Sequence, residues 1–245
     1  MTRSRRSIAP FAVVAALVLT TSACGEPTAP SQSTSSVATS EPTAASEALE
    51  RPEQQQVDAA TARGALPTLE DLPKGWAVNE SPVSRAERTY DPPECAAVEF
   101  RSAEAQTFKK AHLEVEERVA YSEWTQDVAA QLAITVYSFS QPFPTTLLDQ
   151  AGERLGDCSA YERTIDGEER SWATQALTTP TVGDRALGIR YTAGSDGAGR
   201  VTDELTVRSG HNLIVVKYLP TTTTYDDQAL QDYAQDVLDR LEKAS

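Results

Sequence analysis

The sequence predicts an α+β fold: an antiparallel β-sheet packed by an internal helix and a C-terminal amphipathic helix, braced by one disulfide. Three observations carry this. From His112 onward, short runs with strand-like patterning follow one another across tight connections, which favours antiparallel neighbours. Tyr225 to Lys243 brings Ala229, Leu230, Tyr233, Ala234, Val237, Leu238 and Leu241 onto a single helical stripe. Two cysteines, Cys95 and Cys158, remain in the chain beyond the N-terminal leader.

The leader comes first in the chain. Arg3, Arg5 and Arg6 form a positive start, and Ile8 to Leu19 is an apolar run. That run is too short to span a hydrocarbon core, which needs roughly 20 helical residues. Thr21-Ser22-Ala23-Cys24 closes it with small residues and a cysteine. This ending resembles the lipobox of bacterial lipoproteins at Ser22, Ala23 and Cys24 and departs from it in having Thr21 where leucine is usual. The resemblance implies diacylation of Cys24 and cleavage before it, so residues 1–23 read as a lipoprotein signal peptide. A diacylglyceryl group on Cys24 would give stable anchoring. The simpler alternative is an ordinary signal peptide with a chance cysteine. Ser4-Arg5-Arg6-Ser7-Ile8 also resembles a twin-arginine signal. Adjacent arginines are common in such leaders, and the general export route is preferred.

Composition limits the partners. The net charge is −14, and the leader carries three of the arginines, so the mature chain is more acidic still. Such a chain lacks the cationic surplus that nucleic acid or anionic lipid demands. The lipid on Cys24 is then the expected membrane contact, with the chain on the outer, extracytoplasmic face. The acidity also reads simply as a device for solubility.

Residues 24–65 are rich in Ser, Thr, Pro, Ala, Glu and Gln and contain no aromatic side chain. They bury too little apolar surface to offset chain entropy and read as a disordered tether. A coil of about 40 residues reaches roughly 35 Å. The composition would suit O-glycosylation, and Ala44 to Ala62 could hold a nascent helix. From Leu66 the composition changes: Trp76, Trp124, Trp172 and every tyrosine follow it. Residues 66–245 are expected to form one α+β domain.

Within that domain, His112 to Tyr121 alternates, placing Leu113, Val115, Val119 and Tyr121 on one face of a strand. Gln131 to Phe139 is a second, more buried strand. Thr145 to Leu155 has helical spacing and leads to Cys158. Ser159 to Ile165 and Arg170 to Leu177 flank Asp166-Gly167, a hairpin turn. Arg185 to Thr192 and Val201 to Arg208 flank the glycine-rich loop 194–199, and Ser209-Gly210 turns the chain into Asn212 to Leu219. Thr224 with Asp227 resembles a capping box for the last helix.

An exported chain meets an oxidising compartment, so Cys95–Cys158 is the expected bridge; two buried free thiols are the alternative. Residues suited to catalysis are sparse. His112 reads as a solvated residue at a strand start and His211 as a turn residue, neither with an evident serine and acid beside it. Gly194-Ser195-Asp196-Gly197 lacks the spacing of a nucleophile elbow. Glu114, Glu116 and Glu117 could gather a cation, but they occupy both faces of one strand rather than a calcium loop. Val182-Gly183-Asp184-Arg185-Ala186 reads as a turn closed by an Asx bond. No metal, no cofactor and no catalytic residue is expected.

Asp71-Leu72-Pro73-Lys74-Gly75-Trp76, Pro92-Pro93-Glu94-Cys95, Gly156-Asp157-Cys158 and Val182-Gly183-Asp184-Arg185-Ala186-Leu187 appear in that order, followed by a terminal helix. The order is similar to that in actinobacterial cell-envelope lipoproteins related to the extracellular sensor domain of PknH-type serine/threonine kinases. The resemblance covers about residues 66–243. It implies an antiparallel sheet packed by helices, with a cleft for an unidentified ligand. The chain departs from that domain in carrying one cysteine pair rather than two disulfides, and no kinase region or transmembrane segment. The expected function is therefore an exported, lipid-anchored, non-enzymatic ligand-binding or sensor-like module, its partner a small molecule or an envelope protein. The alternatives are a structural or protein-interaction component of envelope assembly and, third, a cell-wall hydrolase.

Overall fold

Alternating strands from Leu113 to Leu219 assemble into one fully antiparallel sheet. The computed structural model describes residues 49–80, 86–124, 129–178, 180–194, 199–219 and 227–244. Among these, the strands are β1 (Trp76–Val78), β2 (Arg88–Asp91), β3 (Leu113–Trp124), β4 (Ala129–Phe139), β5 (Ala160–Ile165), β6 (Glu168–Ala176), β7 (Arg185–Ala193), β8 (Val201–Ser209) and β9 (Asn212–Leu219). Their order across the sheet is β1-β3-β4-β9-β8-β7-β6-β5-β2. The run from β5 to β9 is the expected meander. The β3–β4 hairpin joins it through β4 and β9, so the longest strands lie near the middle of one half. Asp166 and Gly167 both take positive φ, 51° and 83°, in the tight turn between β5 and β6.

The helices are α1 (Ala59–Ala65), α2 (Ala103–His112), α3 (Thr145–Arg154) and α4 (Asp227–Ala244). They divide between the two sheet faces because each strand alternates. On the first face Leu132, Ile134, Val136, Leu205, Val207, Ile214 and Val216 meet Leu230, Ala234, Val237, Leu238 and Leu241 of α4. The stripe read from the sequence is the buried side of that helix; each large aliphatic residue in it contributes about 1.5–3 kcal/mol. Thr224, half of the expected capping box, lies outside the described residues. None of the described helices is long and apolar enough to cross a membrane.

The second face carries α2, α3 and a 3-10 segment, Pro93–Glu99. Phe139, Leu213 and Val215 of the sheet pack there against Ala105, Phe143, Leu147 and Leu148. A second cluster on this side gathers Cys95, Val98, Leu155, Cys158, Tyr161, Ile189 and Tyr191. The Cys95–Cys158 disulfide is present, with Cα atoms 5.5 Å apart, and ties the 3-10 segment to the end of α3.

Three expectations change. The folded region begins earlier than Leu66: α1 lies inside the residues 24–65 read as tether, and Val57, Ala62, Ala65 and Leu66 are buried in the first core. Small alanines let α1 sit close to α4, so a composition poor in large apolar residues still packs. The segment before α1 is also bound, through Asn212 Nδ2 donating to the carbonyls of Glu53 (2.9 Å) and Gln55 (2.7 Å) and the Val57 amide donating to Ser138 Oγ (3.0 Å). Residues 24–48 lie outside the described residues.

Leu113 does not share a face with Val115. The β3–β4 register shifts between them: Leu113 opposes Phe139 and Val115 opposes Ser138. One extra residue reverses the side a side chain points to, so Leu113 packs on the second face and Val115 on the first. His112, finally, ends helix α2 rather than starting a strand.

Candidate functional site

The polar residues that alternate with the first core project onto the second face. There they line a cleft of about 520 Å³ between the sheet and the segment running from Glu99 into α2. β3 supplies Glu116 and Arg118, β4 supplies Ala133, Thr135 and Tyr137, and β9 supplies Val215 and Lys217. Its volume falls in the range of small-molecule sites, about 300–1,000 Å³.

One end of the cleft is built on Glu99. Its Oε1 accepts from Arg163 Nη1 (2.6 Å) and the Tyr161 hydroxyl (2.9 Å). Its Oε2 accepts from the Tyr90 hydroxyl (2.9 Å) and Arg88 Nη1 (3.3 Å). Burial alone would raise the Glu99 pKa. The Arg163 charge and hydrogen bond, with the two tyrosine hydroxyls, outweigh it and hold the carboxyl below its ordinary value. Burial, and then the Glu99 charge, push the Tyr90 and Tyr161 hydroxyls upward, so both stay protonated donors. The Arg163 guanidinium also lies 3.5 Å from the centre of the Trp172 ring. The disulfide anchors this end, because Cys95 lies in the Pro93–Glu99 segment that Glu99 closes.

The other end is cationic. Lys109 Nζ stands 4.3 Å from the centre of the Tyr137 ring and 4.0 Å from Glu116 Oε2. Burial lowers the Lys109 pKa; Glu116 opposes this, while the Arg101 and Lys217 charges reinforce it. Lys217 bonds Glu204 at 2.6 Å. Between the two ends the floor is apolar, formed by Phe139, Phe143, Leu213 and Val215.

A second depression, about 800 Å³ and open to solvent, lies between α3 and residues 180–187. Two of its three acids are already engaged: Asp149 pairs with Arg185, and Asp184 is a structural hub. The expected Asx turn at Asp184 is replaced by longer-range bonds. Its carboxylate accepts from Arg208 Nη1 (3.0 Å), the Gly210 amide (2.6 Å) and Gln54 Nε2 (2.8 Å), and pairs with Arg51. Arg208 is buried in the core and also donates to the Phe143 carbonyl (2.6 Å). Asp184 thereby gives this cation a partner and clips the N-terminal segment to β8. For these reasons the second-face cleft is the candidate site.

The residues singled out in the sequence do not converge on it. Cys24 lies outside the described residues. His112 packs on Phe108, with ring centroids 4.8 Å apart, and its Nδ1 is 3.3 Å from Ser140 Oγ; among the described residues no carboxylate pairs with it. His211 places Nδ1 2.8 Å from the Phe139 carbonyl. Glu117 is taken by Arg63 at 2.7 and 3.1 Å on the first face, whereas Glu116 faces the cleft. Among the described residues no group of three potential ligands could hold a metal. Glu99, Arg101, Lys109, Arg163 and Trp172 escaped the sequence reading. For Arg163 on β5 and Trp172 on β6 the one signal is strand alternation, which puts them on the face opposite the aliphatic core; Glu99, Arg101 and Lys109 lie outside the strands and carry no such signal.

No family model matches the sequence, and no curated protein matches it. The solved structures give a likeness of fold. The extracellular domain of PknH from Mycobacterium tuberculosis matches with a TM-score of 0.54 at 11% identity, over 78% of this chain and 99% of that one. An uncharacterised Rv0999 ortholog from Mycobacterium smegmatis matches with a TM-score of 0.39 at 12% identity, over 78% of this chain and 98% of that one. The chain thus resembles the PknH extracellular domain in its α+β architecture, as the order of its short motifs implies.

Proposed function

We propose that the chain is an exported, lipid-anchored, sensor-like domain that binds a small ligand without transforming it. The observation that carries this reading is the second-face cleft, a space of about 520 Å³ with an apolar floor and convergent polar walls. The likeness of fold to a kinase extracellular domain agrees with it, as does a leader ending in Ser22-Ala23-Cys24. The charged groups of the cleft are set up to hold rather than to react. Glu99 is saturated by four donors and its tyrosines are protonated, so neither acts as a general base near neutral pH.

The test is mass spectrometry of small molecules that co-purify with the full chain, compared with an Ala133→Trp variant. Ala133 lines the cleft on β4, and an indole there fills it. A molecule retained by the parent and lost from the variant supports the reading. A retained molecule indifferent to Ala133→Trp sinks it. Location has a separate test. Cys24→Ala is expected to release the protein or to leave an uncleaved precursor, and a processed, membrane-bound variant would refute the anchor.

A further inference from the structure

The cleft reverses the sign of the protein that contains it. The chain carries a net charge of −14, yet cations outnumber acids along the cleft walls. The three acids are each matched. Glu99 serves both Arg88 and Arg163, Glu204 serves Lys217, and Glu116 faces Lys109. Arg101 and Arg118 also line the cleft, and among the described residues no carboxylate pairs with either. The surplus is felt locally, since the Arg101 charge acts on Lys109 as well as on Tyr90 and Tyr137. The buried polar atoms of this wall that lack partners are donors too: Arg88 Nε, Arg163 Nε and Trp172 Nε1. A positive recess with low-dielectric walls concentrates the field and draws anions even into an acidic protein.

The same walls are aromatic. Phe139 and Phe143 form the floor with ring centroids 5.3 Å apart, and two cations lie over the Tyr137 and Trp172 rings. Cations laid against aromatic faces present a surface that is apolar across its body and positive at its rim. We propose that the cleft takes a small amphiphile with an anionic head beside Arg101 and Arg118 and an apolar body on the Phe139–Phe143 floor. This inference rests on the ligand-binding reading above and adds the chemical class of the ligand.

The test uses a matched pair of fluorescent probes with the full chain. One is 8-anilino-1-naphthalenesulfonate; the other is N-phenyl-1-naphthylamine, the same rings without the sulfonate. The anionic probe is expected to bind at least about tenfold more tightly at low salt, a difference of about 1.4 kcal/mol. Rising salt should erode that advantage. Arg101→Gln with Arg118→Gln should remove it and leave the neutral probe unchanged, whereas Arg101→Lys with Arg118→Lys should keep it. Inorganic sulfate at millimolar concentration should displace neither probe; displacement by sulfate alone would mean a site for the head only and would overturn the amphiphile. Equal binding of the two probes, or an anionic probe indifferent to the glutamine pair, would also overturn it. If Ala133→Trp still abolishes binding in those cases, the cleft remains a ligand site and only its charge preference fails. Probe binding indifferent to Ala133→Trp, or no binding of either probe, removes both readings.

Discussion

Glu99 shows how one side chain can carry both stability and the shape of a site. It ends the 3-10 segment Pro93–Glu99, and Phe100 after it takes the left-handed conformation, φ 53°, which turns the chain towards α2. Replacing Glu99 by Gln leaves Arg163 without its counter-charge in a nearly buried position. It should cost about 3 kcal/mol in denaturant unfolding. The pH dependence has a definite sign. The folded-state pKa is depressed, so the stabilisation is complete above the ordinary value of 4.5 and is lost as pH falls through the lower folded value. The acid limb of the stability curve should therefore be shallower in Glu99→Gln than in the parent. Gly210 is a second decisive residue. Its φ is +54°, and a Cβ there would lie 2.3 Å from the Gln54 carbonyl oxygen. Gly210→Ala should destabilise by roughly 1–3 kcal/mol, and amide exchange should rise first in residues 51–57, whose dock is that turn.

At the level of elements, the N-terminal segment and the disulfide have different roles. Helix α1 contributes Ala62 and Ala65 to the core shared with α4, and Arg63 reaches Glu117 on β3. A chain begun at Leu66 should unfold at lower denaturant than one begun at Glu47, with a larger exposed apolar surface along α4. Equal midpoints would show that α1 rests on the fold without supporting it. The disulfide closes a separation of 63 residues, for which chain entropy predicts about 4 kcal/mol. Because it also fixes the segment carrying Glu99, Cys95→Ala with Cys158→Ala should lower stability by that order and weaken binding in the cleft. Both are readable in a single thermal titration with and without the anionic probe.

At the scale of the whole molecule, one sheet serves two purposes. Its first face packs against α1 and α4 through a mainly aliphatic core. Its second face is covered unevenly by α2, α3 and the 3-10 segment, and the gap between them is the cleft. Strand period explains the division: residues i and i+2 share a face, so Val207 and Leu205 belong to the core while Glu204 and Thr206 belong to the other side. Much of this was legible in the sequence. The α4 stripe, the β5–β6 turn at Asp166-Gly167 and the cysteine pair are local or compositional signals. The start of the folded region was not, because alanine-rich α1 is stabilised by packing against α4, far away in the chain. The one-residue shift at Leu113 was hidden as well, since an alternating run looks the same on either side of a bulge.

The amino-acid sequence by itself determined an acidic chain, an antiparallel α+β domain and a bridge between Cys95 and Cys158. These follow from charge, periodicity and cysteine count, which depend on near neighbours or on totals. Tertiary structure alone decided that Glu99 meets Arg163, 64 residues away, that Asp184 clips Gln54 to β8, and that eight strands and a helix line a cationic cleft. Those contacts depend on strand order and register, which place residues distant in sequence within hydrogen-bond reach.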